Sequence, residues 1–419
     1  MVWLLIGYMW LFIHRPDEIW PMLGAIRIVR VYMIVVIGYW LVAADKSWVS
    51  NRLNVAFAAF FLAIITAWVA SPYAGAGDIV IEEFAKVGVF YVLVMSQVRD
   101  ERNLRLMVVA VLACIALSML HSLWEYRNGR HIWVTGTARM IGLDKTLSDP
   151  NSFAASLIYV LPLTIPFWSM ARSSRDTLLL LAYTALTTVC VLLTGSRTGF
   201  VGLMVVALAL VLISRHRAKL ALAMLVLAPV AWGLLPADRQ NRFLTLLDPS
   251  YGPANAQQSA ESRKVFFDIA FEQWQQSPLL GNGPDSFRVS SGTGMAVHSL
   301  YGQLFAEVGL VGMLAFAGVL ACFVLNARDI SQCYVGVPWQ QRGFPFWLST
   351  AVLVSVLLLL VQGLGGHNLL RYNWLWFGAF QAIALKCARE QGSFLHADSH
   401  DFNWSPTIDP CSPLLRGAR

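Results

Sequence analysis

The residue with the clearest chemical potential is a histidine at the edge of an apolar segment. His298 directly precedes a long apolar run, where both water and lipid head groups can reach it. Because an imidazole has an ordinary pKa of about 6.5, it can take a proton from a hydroxyl group at neutral pH. A histidine that is only hydrated at such a boundary is the alternative, and for His298 taken alone it is the commoner case.

A second candidate is an arginine in the short turn 194–199 between two apolar runs. Arg197 lies in this turn, directly before the second run. A guanidinium offers five donors in a fixed geometry that matches phosphate oxygens, and a following helix N-terminus also favours an anion. The alternative is an arginine whose side chain reaches the phosphates of the surrounding lipid.

Two further basic residues, Arg263 and Lys264, begin a predicted amphipathic helix over 262–276. The apolar residues of this helix share one face, as their spacing of three and four residues indicates. In the functional interpretation Arg263 and Arg197 together bind a diphosphate. In the alternative interpretation the pair belongs to a solvated helix face.

Several other polar residues lie beside these candidates or in neighbouring segments. The predicted substrate contacts are Arg139, Asp149, Asn151, Ser299, Tyr301, His367 and Arg371. Arg139 and Lys145 belong to a basic loop, which suits an anionic partner. Before the apolar run that follows Asp149, ordinary helix capping by Asn151 and Ser152 after the entry residue Pro150 is the simpler interpretation. His367 and Arg371 flank a turn and line either the same cavity or only its rim.

The elements that position these residues are predicted to be transmembrane helices. The chain has 419 residues, of which 57% are hydrophobic and 13% are charged; soluble domains carry about 25% charged residues. A run of about 20 apolar residues crosses a membrane as a helix, because a helix satisfies its own backbone hydrogen bonds. The predicted fold is therefore an all-α polytopic bundle of about twelve helices.

The twelve apolar segments are separated by short polar stretches. Their predicted bounds are 1–14, 26–44, 54–70, 79–97, 104–123, 151–170, 177–194, 198–214, 218–235, 299–325, 345–366 and 371–388. Residues 1–235 would hold nine helices with an outer loop at 124–150. Residues 236–298 would form a large outer loop with short helices, and 299–388 the last three helices. The tail 389–419 is expected to be disordered.

Charge places the loops on the two sides of the membrane. Lys and Arg concentrate in alternate short loops, whereas the loop 71–78 contains neither. Because basic loops stay in the cytoplasm, both termini are predicted to be cytoplasmic and the two long loops to lie outside. The net charge of +7 is explained by these loops, and no nucleic-acid partner is expected.

The sequence offers no pattern for a metal or a cofactor. The six cysteines avoid both long outer loops, so neither a disulfide framework nor a zinc site is predicted. There is no phosphate-binding glycine loop and no dinucleotide fingerprint. No cofactor and no metal ion are therefore predicted from these patterns.

Four short motifs together resemble the O-antigen ligase and polymerase superfamily, over roughly residues 75–385. They are His298-Ser299, nine residues and Gly309-x-x-Gly312; Thr194-Gly195-Ser196-Arg197; Ser262-Arg263 with Pro278-x-x-Gly281-x-Gly283 and Phe287; and Asp149-Pro150-Asn151-Ser152-Phe153-Ala154. Each motif alone is weak. Their order and their spacing within the predicted topology are specific.

The resemblance implies a metal-independent, inverting glycosyltransferase in the bacterial inner membrane, with its active site facing the periplasm. Its donor would be a glycan linked to undecaprenyl diphosphate. By family similarity, His298 would be the general base, while Arg197 and Arg263 would bind the diphosphate. Membrane lipid would surround the protein.

The acceptor is left open among three kinds of hydroxyl group. A lipid A core sugar would make the protein an O-antigen ligase of lipopolysaccharide synthesis, the choice that the His298-Ser299 motif favours. A growing glycan would make it an O-antigen or exopolysaccharide polymerase, and a protein hydroxyl an O-oligosaccharyltransferase. From another class, a transporter or flippase of an anionic lipid or glycan would need inverted repeats, and the sequence shows none.

Overall fold

The computed structural model of the chain describes residues 1–42, 44–134, 137–143, 147–248, 251 and 254–400. Lys145 and the segment 401–419, which includes most of the tail that was predicted to be disordered, lie outside the described residues. The first half of the described chain is almost entirely helical. Its helices are α1 (Val2–His14), α2 (Pro16–Ile19), α3 (Pro21–Ala25), α4 (Ile28–Val42), α5 (Arg52–Val69), α6 (Ala74–Gln97), α7 (Glu101–Arg127), α8 (Pro150–Val160) and α9 (Ile165–Met170).

The second half of the described chain is also almost entirely helical. Its helices are α10 (Ser174–Thr194), α11 (Arg197–Ile213), α12 (Arg217–Gly233), α13 (Ala237–Leu244), α14 (Ala254–Gln276), α15 (Phe287–Ser290), α16 (Leu300–Gln303), α17 (Gly309–Cys333), α18 (Phe344–Gln362) and α19 (Asn373–His400). Short 3-10 helices lie at Leu161–Thr164 and Trp339–Gln341. One turn of π-helix, Leu304–Val308, joins α16 to α17.

Six helical stretches of the described chain are long and apolar enough to cross a membrane. They are Arg52–Val69, Glu101–Arg127, Pro150–Met170, Ser174–Thr194, Leu300–Cys333 and Phe344–Gln362. The apolar helices α1, α4 and α11 are shorter. These helices confirm the predicted polytopic helical bundle, whereas the number of twelve crossings stays a prediction.

Two strands correct the purely α-helical prediction. β1 (Ile132–Val134) and β2 (Thr137–Arg139) pair antiparallel in the loop 124–150, with Ile132 opposite Arg139. Ile, Trp, Val and Thr favour extended backbone, because their side chains pack well on a pleated surface. Three-residue strands are too short to show this preference as a clear alternation in the sequence.

Two helices extend beyond their predicted bounds. α14 begins at Ala254 rather than at 262, so Arg263 lies inside the helix and not at its start. The residues between Pro253 and Arg263 include no glycine or proline, and nothing stops the helix from extending towards the N-terminus. α19 continues to His400, past the predicted end at 388.

The core of the bundle surrounds its last helix. α19 packs against α5, α6, α7, α17 and α18. Its Trp374, Phe377 and Phe380 are almost completely buried. The buried Gln381 donates hydrogen bonds to the carbonyl of Phe323 and to the hydroxyl of Ser349, so this polar side chain ties α19 to both neighbouring helices.

The segment 278–283 packs its backbone directly against the start of α17. The amides of Leu310 and Val311 donate to the carbonyls of Pro278 and Leu279, which supplies partners for the first turn of the helix. The amide of Gly283 donates to the carbonyl of Glu307. These contacts hold the large outer loop against the helix that follows His298.

Candidate active site

A cavity of about 650 Å³ lies where the ends of several helices meet. It is bounded by the start of α8, by α14 and α15, by the chain before α16, and by the turn between α18 and α19. We call it the His298 cavity. Its lining includes Asp149, Asn151, Tyr159, Thr198, Ser262, Arg263, Phe266, Arg288, His298, Gln362, His367, Asn368 and Arg371.

His298 lies between two rings in this cavity. Its ring stacks on Phe266 with the centroids 6.3 Å apart, and the ring of His367 lies 5.6 Å away on centroids. Burial lowers the pKa of His298, the cations Arg263 and Arg288 lower it further, and Asp149 opposes them. The imidazole is therefore neutral at neutral pH, which is the form that can accept a proton.

The backbone around His298 is fixed by its two neighbours. The Ser299 side chain caps α16 by accepting from the amide of Gly302 at 3.4 Å. The amide of Leu300 donates to the carbonyl of Gly363 at 2.8 Å, which joins the segment directly after His298 to the end of α18. The Tyr301 hydroxyl donates to the carbonyl of Leu360. Neither Ser299 nor Tyr301 lines the His298 cavity, so their contact with substrate stays a prediction.

Arg263 reaches the cavity from the middle of α14. Its guanidinium lies close to the turn after α18, since a Cβ on Gly365 would be 3.4 Å from Nη1. The Cβ added to Gly365 would also lie 3.0 Å from Cγ2 of Thr198. Burial lowers the pKa of Arg263 and Asp149 raises it. Arg263 is thus a cation within the cavity, next to the first turn of α11.

Arg197 is the first residue of α11, directly before Thr198. Ser196 caps the helix by accepting from the amide of Gly199. The Nη1 of Arg197 donates to the Thr245 hydroxyl at 3.3 Å. Arg197 and Arg263 are close enough to repel each other, but Arg197 is not part of the cavity lining. The two arginines that were predicted to bind the diphosphate are therefore neighbours. Arg263 lines the cavity, and Arg197 lies outside its lining.

Three arginines bind the C-terminal carbonyls of α10, just before Arg197. Arg239 donates to the carbonyl of Leu192 at 2.9 Å, Arg139 to Thr194 at 2.7 Å, and Arg242 to Gly195 at 2.6 Å. The last carbonyls of a helix lack partners within it and carry partial negative charge, so cations stabilise them.

Arg139 is therefore held mainly by protein groups. It is only 4% exposed and does not line the His298 cavity. Its Nη2 donates to Oδ1 of Asn151 at 2.9 Å. Burial, with repulsion from Arg242, lowers its pKa to about 9. Contact between Arg139 and substrate stays a prediction.

Asp149 and Asn151 both line the cavity. The cap of α8 is Asp149, which accepts from the amide of Ser152 at 2.8 Å, whereas the sequence suggested Asn151 and Ser152 as caps. Pro150 shifts the helix start by one residue, because a proline without an N–H fits the first helical position. Asn151 is thereby free to accept from Arg139.

His367 and Arg371 belong to the same cavity, from the turn between α18 and α19. Burial lowers the pKa of His367 to about 4, and Arg371 and His298 add to the effect. Within the described residues, Nδ1 of His367 has no hydrogen-bond partner. His367 is thus a neutral imidazole beside a second neutral imidazole.

Arg288 is a member of the site that the sequence did not indicate. It lines the cavity from α15, and its Nε donates to Oδ1 of Asp285 at 2.8 Å. α15 has four residues, too few to produce a periodic pattern. The adjacent Phe287, which belongs to one of the family-like motifs, was the available signal.

The site combines a neutral base with several fixed cations. Within the described ranges, no group of three or more His, Cys, Asp or Glu residues could hold a metal ion. The cations Arg263, Arg288 and Arg371 and the carboxylate Asp149 give the lining an excess of positive charge. Such a site is suited to a polyanionic group next to a hydroxyl that must lose a proton.

Comparison with known families agrees with this chemistry. The family model described as O-antigen ligase matches residues 182–317, a segment that contains Arg197, Arg263 and His298. This match confirms the resemblance to the O-antigen ligase superfamily. Among curated proteins, none matches the chain. The family and the apolar helices together support a multi-pass membrane protein that acts on lipid-linked glycans in general.

Proposed function

Starting from its place in the O-antigen ligase superfamily, we propose that the protein transfers a glycan from undecaprenyl diphosphate to a hydroxyl group, without a metal ion. The observation that carries the proposal is the neutral imidazole of His298 in the same cavity as Arg263. A base alone would suit many reactions. A base beside fixed guanidinium groups suits the displacement of a diphosphate.

The reaction is a single displacement at the anomeric carbon of the donor. The acceptor oxygen forms a bond to this carbon while its proton passes to His298. The bond between the anomeric carbon and the diphosphate oxygen breaks, and its electron pair leaves with the diphosphate. Because the acceptor attacks opposite to the leaving group, the anomeric configuration inverts.

The arginines stabilise the charge that develops on the leaving group. Arg263 lies in the cavity, and Arg197 lies next to Thr198 of the cavity lining, where its guanidinium donates to the Thr245 hydroxyl. Fixed donors need no reorganisation during the reaction, and removing one such donor typically costs about 10²–10³ in rate. Arg263 would contact the diphosphate directly, and Arg197 would complete the binding when the donor is present.

In this proposal the site would lie at the periplasmic face of the bacterial inner membrane. The loop 71–78 has no basic residue, while loops on the alternate side are rich in them. The His298 cavity lies on the same side as the large loop 236–298. The polyprenyl chain would remain in lipid, and the glycan would enter the cavity from the periplasm.

The acceptor that we favour is a sugar of the lipid A core, as in an O-antigen ligase. The family description that matches the central part of the chain names this activity. A growing glycan or a protein hydroxyl would use the same base and the same leaving group. The chemistry of His298 and the arginines is unchanged among these acceptors, so only an acceptor panel separates them.

The test is transfer by purified protein in detergent with a chelator. Undecaprenyl-diphosphate glycan would be offered with lipid A core oligosaccharide, with O-antigen repeat, and with a serine peptide. Arg263→Ala and Arg197→Ala should each lower the rate by about 10²-fold or more. Arg175→Ala, at an exposed position far from the cavity, is the matched control. If no acceptor receives glycan, or if both variants match the control, the proposal is wrong.

A further inference from the structure

A second cavity adjoins the His298 cavity and has no role in the reaction described so far. Its volume is about 420 Å³, and it lies between α1, α6, α7 and the outer loop. The two cavities share a wall. Its members are Ser156, Arg288, His367 and Arg371.

The charges of the second cavity differ from those of the first. Three carboxyl side chains line it, from Glu83, Asp285 and Glu307, whereas the His298 cavity has Asp149. Two of its arginines face these carboxylates directly. Arg288 pairs with Asp285 at 2.8 Å, and Arg15 lies 3.9 Å from Glu83. The second cavity therefore has more carboxyl oxygens than the first, and these can accept hydrogen bonds beside its arginines.

Glu307 is the most unusual of these carboxyl groups. It is 1% exposed and lies in the π-helix Leu304–Val308. Gln303 Nε2 donates to its Oε2 over a long 3.4 Å, and Oε1 has no partner in the described part of the chain. A buried carboxyl oxygen without a partner is costly, so such a group marks a place where a donor is expected to bind. Single turns of π-helix frequently lie at functional sites.

The remaining walls of the second cavity are apolar. They include Phe12, Ile13, Ile79, Val87 and Leu370. Sugar rings combine apolar faces of C–H groups with hydroxyl donors at their edges. A diphosphate would be less favoured here, because Arg288 and Arg15 already face the carboxylates of Asp285 and Glu83.

We propose that the second cavity binds the acceptor, an uncharged sugar whose hydroxyl groups donate to Glu307 and Asp285. This inference rests on the proposed transferase function and adds the chemistry of its acceptor. The diphosphate stays with the arginines of the His298 cavity. The nucleophilic hydroxyl reaches His298 across the shared wall, between His367 and Arg371.

The step is the displacement already described, with its two reactants now assigned to separate cavities. The acceptor oxygen enters from the second cavity and bonds to the anomeric carbon. Its proton moves to His298, and the diphosphate leaves on the arginine side. Two adjoining cavities thus place the attacking and leaving oxygens on opposite sides of the anomeric carbon, as inversion requires.

The experiment compares acceptor and donor dependence in Glu307→Gln and Asp285→Asn. The sugar probes are dephosphorylated lipid A core oligosaccharide and a neutral O-antigen repeat, with a serine peptide as contrast. Both variants should raise KM for the sugar about tenfold or more, because the amide replaces one acceptor oxygen by an NH2 group that cannot accept a hydrogen bond. Affinity for undecaprenyl diphosphate, measured by displacement of a fluorescent analogue, should not change. Glu272→Gln, at an exposed position of α14, is the matched control.

The outcomes separate this inference from the proposed function. If wild-type protein transfers glycan but both variants keep the KM of the sugar, or only the peptide is used, the inference is wrong and the transferase stands. If donor affinity falls together with acceptor affinity, the assignment of separate cavities is also wrong. If wild-type protein transfers nothing, both proposals fail. Should Glu307→Gln not fold, Asp285→Asn carries the test, since Asp285 lies outside the helices.

Discussion

At the scale of single residues, the environment of His298 determines whether it can act as a base. Burial and the neighbouring cations lower its pKa, so the neutral form is present at and below neutral pH. A proton on His298 would remove the base. The pH dependence of kcat/KM therefore reports the pKa of this residue in the free enzyme.

We expect kcat/KM to fall on the acid side as His298 becomes protonated, at a pH below about 6.5, the ordinary pKa of histidine. Asp149→Asn should move this fall to still lower pH, because Asp149 is the neighbour that raises the pKa of His298. Asparagine retains the ability to cap α8. The measurement is the pH profile of transfer, with the exposed Asp176→Asn as control. A shift to higher pH in Asp149→Asn would contradict this electrostatic account.

Much of the site was predictable residue by residue. His298, Arg263, Asp149, His367 and Arg371 were all chosen from the sequence, and the structure brings them to one cavity. All of them except Arg263 carry a charge or an imidazole at the edge of an apolar run, which is rare without a reason.

Other members of the site left no such signal. Arg288 and Asp285 lie between α14 and α16, where the four-residue helix α15 is too short for a period to relate sequence to position. For Ser299, Tyr301 and Arg139 the structure shows partners within the protein. A sequence position next to a functional residue does not determine the direction of a side chain.

At the scale of elements, two glycines allow the outer loop to pack on α17. Gly281 and Gly309 have φ of +68° and +59°, and a Cβ on Gly281 would lie 2.6 Å from the carbonyl carbon of Glu307. Both the backbone conformation and the close approach therefore require glycine. The contact fixes the segment 278–283, which precedes His298, against the start of α17, which follows it.

Gly281→Ala should lower the melting temperature and reduce transfer, since it adds a backbone clash to an unfavourable φ. Gly294→Ala is a sharp control, because Gly294 has a similar φ of +69° but nothing within 4 Å of the added Cβ. The difference between the two variants measures the packing contact alone. Thermal unfolding in detergent gives the comparison. Equal melting temperatures would show that the contact does not stabilise the fold.

A second element-scale prediction concerns the end of α10. Arg239 is 5% exposed and donates to the carbonyls of Leu192 and Ala138 and to the Tyr126 hydroxyl. Arg239→Ala would leave these acceptors without a donor, at a cost of about 2–4 kcal/mol in the free energy of unfolding. Reversible unfolding in denaturant would measure it, with Arg175→Ala as the exposed control. A loss no larger than that of the control would rule out this stabilising role.

The helices themselves were predicted more reliably than their ends. Each predicted apolar segment contains a helix, because long apolar runs have one stable backbone solution in lipid. The hairpin β1–β2 and the early start of α14 were missed. Both lie in polar segments, where tertiary contacts rather than hydropathy determine the local conformation.

At the scale of the whole molecule, the bundle brings distant parts of the chain to one end. Gln362 at the end of α18 donates to the carbonyl of Thr198 at the start of α11. His298, the turn after α18 and the start of α8 meet at the same place. The sequence predicted that these ends share one side of the membrane. Which of them touch depends on helix packing, which a single sequence does not reveal.

The separation of charge between the two cavities is also a property of the whole fold. Glu83 of α6, Asp285 and Glu307 line the second cavity, and Arg263 of α14 lines the His298 cavity. His367, Arg288 and Arg371 lie between the two cavities and line both. No short motif encodes this arrangement, since its members are scattered along the chain from Glu83 to Arg371. It is the feature that gives the proposed donor and acceptor distinct places.

The central claim is that His298 is the base for glycan transfer, and the most direct test is the transfer rate of His298→Ala. The measurement is glycan transfer to the favoured acceptor by purified protein with a chelator present. We expect a loss of about 10²–10⁴-fold, the usual contribution of a positioned base, with unchanged affinity for undecaprenyl diphosphate. The exposed His216→Ala should match wild type. A folded His298→Ala protein that transfers glycan at the wild-type rate would contradict the account.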